Sequence, residues 1–415
     1  MIDGVIPETV EYEDLLPSAL EDSERKAKAA AARTFKVEPG DTLKDGRYRP
    51  FRKLGQGSYA SVWLARDMEE SRYVAIKVGR MSSSSILSNE ISSMKLLQEG
   101  QVPGHPGKDH VVELLDQFIH ERPNGSHICL VTNPLGRSLE TALTFDCGKA
   151  GQEPAPYAFS RRASIQTLQA LDYLHQHGIM HGDVHPGNLL LALTHDIDKD
   201  TETEIEAKNQ RGNELNLSDE PYWLDEGIYI PESDPTNANV ILVDLGASNH
   251  PADVPSRKYA YPIPYRAPEV VMDTGNVTCK ADIWALGCVI FRIITDIPLF
   301  APEDCCWGMN ETEREQMVMF IDRLGPVPEY LRSACKDLDL NLTSDGILVD
   351  PLPEDERAEP LAKFFMEYKP EDMGEEEITA FIEFLGLMIR FDPDERSSAQ
   401  DLLQHRWITD FSVCS

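Results

Sequence analysis

The stretch His181-Gly182-Asp183-Val184-His185-Pro186-Gly187-Asn188 is followed, 56 positions after its Asn, by Asp244-Leu245-Gly246. Asp183 offers a carboxylate that can take a proton from a hydroxyl, Asn188 an amide oxygen for a metal ion, and Asp244 a second hard oxygen ligand. Those are the needs of phosphoryl transfer, in which a metal neutralises phosphate charge while a carboxylate orients the attacking oxygen. Either motif alone turns up by chance in long chains. The order of further motifs around them decides.

Upstream, Leu54-Gly55-Gln56-Gly57-Ser58-Tyr59-Ala60-Ser61-Val62 reads as a glycine-rich turn between two strands, where backbone N–H groups can approach phosphates closely. Val74-Ala75-Ile76-Lys77 reads as an apolar strand ending in a cation. Glu90 follows thirteen residues later, on a helical pattern with Ile86, Leu87, Met94 and Leu97, placed to pair with Lys77. Downstream come Ala267-Pro268-Glu269, a helix start at Asp282-Ile283-Trp284-Ala285-Leu286-Gly287, and Arg396.

In that order, from Tyr48 to about Trp407, the motifs resemble those of protein kinases. The resemblance implies an α+β, bilobal fold over residues 48–409: a mainly β small lobe to about 133 and a mainly helical large lobe from about 137. It also implies ATP and Mg²⁺ as cofactors. Asp183 would be the base, Asn188 and Asp244 the metal ligands, Lys77 the partner of the α- and β-phosphates, and Glu90 the residue that fixes Lys77. Backbone from Gly55 through Gln56 and Gly57 to Ser58 would cover the phosphates; Leu54, Val62, Ala75 and Leu135 would line the adenine slot, with Thr132 setting its depth. In the family, Arg396 clamps Glu269, and Asp282 holds the catalytic-loop backbone.

Composition sets outer bounds. A chain of 415 residues, 41% hydrophobic, can bury two or three domain-sized cores. Its eight cysteines show no Cys-x-x-Cys spacing, and adjacent Cys305-Cys306 make poor disulfide partners, so reduced thiols in a cytoplasmic or nuclear protein are expected. No signal peptide and no apolar run of membrane-spanning length is evident, and a soluble monomer is expected. With 71 acidic against 39 basic residues, the net charge of −32 repels nucleic acid and anionic membrane and attracts cations.

Residues 1–34 read as a flexible acidic and Ala-rich tail. Strands are expected over Ala60 to Arg66, Tyr73 to Val78, Val111 to His120 and His127 to Thr132, with Pro134-Leu135-Gly136 as the hinge. Helices are expected from Ser160 and over Ala281 to Ile294, the latter apolar nearly all round. An acidic insert at about 194–238 separates the metal-binding Asn and Asp. Between His195 and Pro235 it carries thirteen Asp or Glu and three Lys or Arg, which predicts a poorly ordered surface loop, with Tyr222-Trp223-Leu224 and Ile228-Tyr229-Ile230 as possible anchors.

This spacer, the Asp-Leu-Gly motif, His127-Ile128-Cys129-Leu130-Val131 and Ser61-Val62-Trp63-Leu64-Ala65 resemble the serine/arginine-protein kinases. Basic, Arg/Ser-rich protein substrates are what that resemblance implies, with Glu303, Asp304, Glu311, Glu313 and Glu315 as candidates for docking them. Four departures stand out. His185 replaces the usual catalytic-loop Lys, with a near-normal pKa expected; Gly182 replaces an Arg that in many kinases grips a phosphorylated loop; Pro262-Ile263-Pro264 is unusual; and Ala60 replaces a glycine. With no cation at 182, activity independent of loop phosphorylation is expected. Two alternatives stay open: an ATP-binding pseudokinase scaffold, and a small-molecule phosphotransferase of kinase-like fold, which also uses His-Gly-Asp with a downstream Asn.

Overall fold

The computed structural model describes residues 40–411 apart from 101, 124, 142–156, 207–238, 250–258, 276, 303–308, 336–339, 352 and 355–356. The tail 1–34, both proposed insert anchors and Glu303 and Asp304 therefore lie outside the described residues.

Five antiparallel strands form the small lobe: β1 (Tyr48–Gln56), β2 (Ala60–Asp67), β3 (Arg72–Gly79), β4 (Asp116–Arg122) and β5 (Gly125–Thr132), in the order β1-β2-β3-β5-β4. Alternation along them sorts side chains to two faces. Val74, Ile76 and Val78 of β3, with Cys129 and Val131 of β5, join the cluster on the outer face. Ala75 and Lys77 point the other way, opposite Thr132 and Leu130 in register, and so line the cleft.

The strand expected over Val111 to His120 starts instead at Asp116. Val111 and Leu114 are buried in the large-lobe core, and Val112 N–H donates to Leu242 O (3.0 Å), so the apolar first half of that run serves the other lobe.

Helix α1 (Ser84–Glu99) carries five serines and an asparagine in sixteen positions and has no side-chain N-cap. Such a sequence is a weak helix former, and packing of its buried stripe, Leu87, Glu90, Ile91, Met94 and Leu97, must hold it.

The large lobe contains α2 (Tyr157–Gln176), α3 (Lys280–Thr295), α4 (Met309–Leu324), α5 (Leu361–Tyr368) and α6 (Glu375–Gly386). As expected for Ala281 to Ile294, α3 is buried nearly all round, and Trp284 stacks on Phe300 (5.4 Å) and meets Phe320 edge-on (5.0 Å). A small sheet, β6 (Leu135–Ser138), β7 (Leu189–Ala192) and β8 (Val240–Leu242), lies beneath the cleft with β7 central.

The first part of the insert departs from the loop expectation. Ile197 and Ile205 are buried beside Leu64 and Tyr73, with Phe51, Leu54 and Leu193 around them. Asp198 accepts from Tyr73 N–H (2.5 Å), Tyr73 OH donates to Asp200 O (3.1 Å), and Arg49 pairs with Glu202 (2.5 Å). Two isoleucines among the acids supply the apolar area that the charge count hides. They cover the end of the sheet's cleft face beyond Ala75 and Lys77.

Candidate active site

The floor of the cleft is built around a buried carboxylate at the start of α3. Asp282 accepts from the backbone N–H of His181 (2.8 Å) and Gly182 (3.0 Å) and from Tyr261 OH (2.6 Å), and lies 2.9 Å from His175 Nε2. Burial alone would raise its pKa, but His175 and these donors hold the carboxyl below its ordinary range. Behind it, the fully buried guanidinium of Arg396 grips Glu269 through two 2.7 Å bonds.

Gly182 sits at φ +79°, and a Cβ there would lie 2.5 Å from Ala247 O. The missing Arg is thus a steric requirement: this backbone approach admits glycine alone.

Asp183 Oδ2 and backbone O accept from Asn188 Nδ2 (3.2 and 2.9 Å), while its Oδ1 is buried without a hydrogen-bond partner. Burial, then the nearby Asp244, push the Asp183 carboxyl up to about 7. An unpartnered acceptor of that basicity suits a base awaiting a hydroxyl donor.

His185 Nδ1 accepts from Gly187 N–H (3.1 Å), which leaves the proton on Nε2, 3.7 Å from Asp183 Oδ1. Burial and the neighbouring His181 lower its pKa to about 4. Partial burial thus sets His185 below the near-normal value expected from sequence.

On the opposite wall, Lys77 Nζ lies 2.7 and 3.0 Å from the Glu90 carboxylate and 3.0 Å from Asp244 Oδ1. Two carboxylates outweigh desolvation and hold the ammonium charged. Asp244 adopts a left-handed backbone (φ +66°), and Lys77 keeps its carboxyl below the usual range against the effect of burial.

Between these walls lies a cavity of about 230 Å³ lined by Leu54, Gly55, Val62, Ala75, Lys77, Glu90, Thr132, Leu135, Asn188 and Asp244, all of them singled out in the sequence. Gln56, Gly57 and Ser58 stand outside it, exposed at the β1–β2 turn. Sequence reasoning missed Val112, Leu130, Asn133, Leu190 and Val243 in the lining. Leu130 was findable, two residues along β5 from Thr132.

The donor set suits Mg²⁺ and phosphate, with hard oxygens of Asn188 and Asp244 beside a cation. Among the described residues no group of three or more metal-holding side chains converges. Phosphate and water oxygens would complete the shell.

Of the acids proposed for docking, Glu313 faces Arg266 (3.7 Å), and the side chain of Glu311 lies outside the description. Gln316 of the same helix donates to Ile263 O, so α4 braces the unusual Pro262-Ile263-Pro264 segment.

The protein kinase domain family matches residues 48–408. A serine/threonine protein kinase of Aspergillus fumigatus is 29% identical over 90% of this chain and 87% of its own length. The serine/threonine-protein kinase SRPK of Physarum polycephalum is 27% identical over 90% and 88%, and protein kinase dsk1 of Schizosaccharomyces pombe is 38% identical over 40% of this chain and 30% of its own. A crystallised kinase domain superposes with a TM-score of 0.65, covering 91% of this chain and 99% of that one at 21% identity, which speaks for the fold. The chain belongs to the protein kinase family. Its relatives place it among the serine/threonine kinases, serine/arginine-protein kinases included. Among the described residues no helix is long and apolar enough to cross a membrane.

Proposed function

We propose that this kinase uses ATP with Mg²⁺ and transfers the γ-phosphate to serine in basic, Arg/Ser-rich proteins. The observation that carries the reading is the convergence of the Lys77–Glu90–Asp244 network on one cavity, with Asp183, its Oδ1 unpartnered, hydrogen-bonded to the cavity-lining Asn188. Mg²⁺, when bound, neutralises phosphate charge. Asn188 and Asp244 would hold it, and Lys77, fixed by Glu90, would bind the α- and β-phosphates. Leu54, Val62, Ala75 and Leu135 would enclose the adenine, with Thr132 setting the depth of the slot. Asp183 would orient the substrate hydroxyl and take its proton. Neutral His185, its Nε2–H toward Asp183, would supply a hydrogen bond where a Lys would supply charge.

The choice of basic substrates rests on the net charge of −32 and on the serine/arginine-protein kinases among the relatives. Transfer from radiolabelled ATP to an Arg-Ser repeat peptide, a neutral Ser peptide and a panel of small hydroxyl compounds tests it. The Arg-Ser peptide should be preferred, and its KM should climb as salt shortens the Debye length from ~10 Å at 0.1 M to ~3 Å at 1 M. Equal use of both peptides at low salt removes the substrate reading, and transfer to small molecules alone removes protein phosphorylation.

A further inference from the structure

The segment after the metal-binding Asp244 is tied down from two sides by neutral groups. On the large-lobe side, Met180 and Asn249 exchange backbone hydrogen bonds (2.9 and 3.0 Å), and Gly182 approaches Ala247. On the small-lobe side, Asn89 Nδ2 of α1 donates to Ser248 O (2.7 Å) and Gly246 O (3.3 Å), and Ser93 Oγ meets Ser248 Oγ at 2.7 Å. Ser248 is buried, and its hydroxyl also donates to Leu245 O (2.6 Å). Gly246 lies against α1 so closely that a Cβ would meet Ile86 Cγ2 at 2.8 Å.

Glu90 sits between Asn89 and Ser93 on a helix whose own sequence favours helix weakly. Its distance to Lys77 therefore depends on what holds that turn of α1.

We infer that Asn89, Ser93 and Ser248 are positioning residues, forming an uncharged clamp between α1 and the metal loop that keeps Glu90 on Lys77 and Asp244 in the cleft with no phosphate required. The inference rests on the proposed roles of Lys77, Glu90 and Asp244 and is independent of which protein is the substrate.

Asn89→Asp puts a carboxylate against two carbonyl oxygens with little change of shape. It should lower kcat about 30-fold and raise KM for ATP, while KM for peptide stays within about twofold. Ser92→Ala, on the exposed side of the same turn, should leave both unchanged. A lock separates positioning from mere folding: the short Ser93–Ser248 approach suits a disulfide in the Ser93→Cys/Ser248→Cys variant. Adding Asn89→Asp to it should give an enzyme that is slow when reduced and regains about tenfold on oxidation, assayed at a temperature well below the melting of either form. Wild-type kcat and ATP KM in Asn89→Asp, or a loss that oxidation of the locked variant does not restore, would overturn the clamp. If instead every variant and the wild type fail to use ATP, the function proposed above is what fails.

Discussion

The two lobes are held by different means. The large lobe has one continuous apolar core running from α2 through α3 to Trp407, in which Trp284, Phe300, Phe320, Phe381 and Trp407 are wholly buried, and it reaches up to the buried stripe of α1 and Leu130 of β5. The small-lobe sheet has two thin clusters, and the one on its cleft face is completed by Ile197 and Ile205, which the insert delivers after β7. A five-stranded sheet with one weak helix does not bury both its faces unaided. The small lobe is thus partly assembled from chain that follows β7 of the large lobe.

The largest effect should come from the large lobe. Arg396→Ala leaves Glu269 as an unpaired carboxylate in a dry interior and should cost about 3–5 kcal/mol, seen as one lowered melting transition of the whole protein. Loss in the small lobe alone would contradict a single large-lobe core.

Asp183→Asn should reduce transfer by about 10²–10⁴-fold, yet stabilise the fold. The Asp183 pKa rises to about 7 on folding, so below about pH 4 the group is protonated in both states and carries no penalty. As pH climbs toward 7 the unfolded chain releases its proton first, and wild-type stability falls. Without nucleotide or Mg²⁺, the variant should melt several degrees higher at pH 7, with the gap closing below pH 4. A melting temperature independent of this substitution across that range would contradict the burial of the carboxyl.

Ile205→Ala sharpens the contrast between the lobes. It should cost about 2 kcal/mol, the low end for a buried Ile at the margin of a small cluster. ATP KM should rise while peptide KM is unchanged, and hydrogen exchange should quicken in β2 and β3 but not in α3. Equal quickening in both lobes would show that the insert is not a small-lobe part.

The smallest effect belongs to His185→Lys, which should raise kcat a few fold. With the pKa of His185 near 4, no step in the wild-type kcat profile between about pH 6 and 8 should be lost in this variant. A step that disappears would mean the ring titrates there after all.

Motif order made legible which polar side chains the cleft brings together. Lys77, Glu90, Asp183, Asn188 and Asp244 are singletons whose spacing reflects strand and helix lengths, and such spacing survives in sequence. The kinase resemblance, rather than strand alternation, pointed to Val62 and Ala75, and both line the cavity. What stayed hidden depends on neighbours remote in sequence. Val111 and Leu114 look like strand residues until the partner surface is known, and Ile197 and Ile205 vanish among the acids of the insert because composition averages over them. The acidity of His185 and Asp183 depends on enclosure, which residue type does not carry. Asn89 and Ser93 read as ordinary polar helix positions, with no pattern that points at Ser248.

The contact between Gly182 and the carbonyl of Ala247 also bears on how this chain can change. Any side chain at 182 meets that oxygen and needs a left-handed backbone, so an arginine cannot be selected there one codon at a time. It would first require the loop from Asp244 to Asn249 to be re-routed, and every intermediate would displace Asp244 from Lys77. In a mutational library position 182 should therefore accept almost nothing, and variants that bring this kinase under the control of a loop phosphate should arise elsewhere on the molecule.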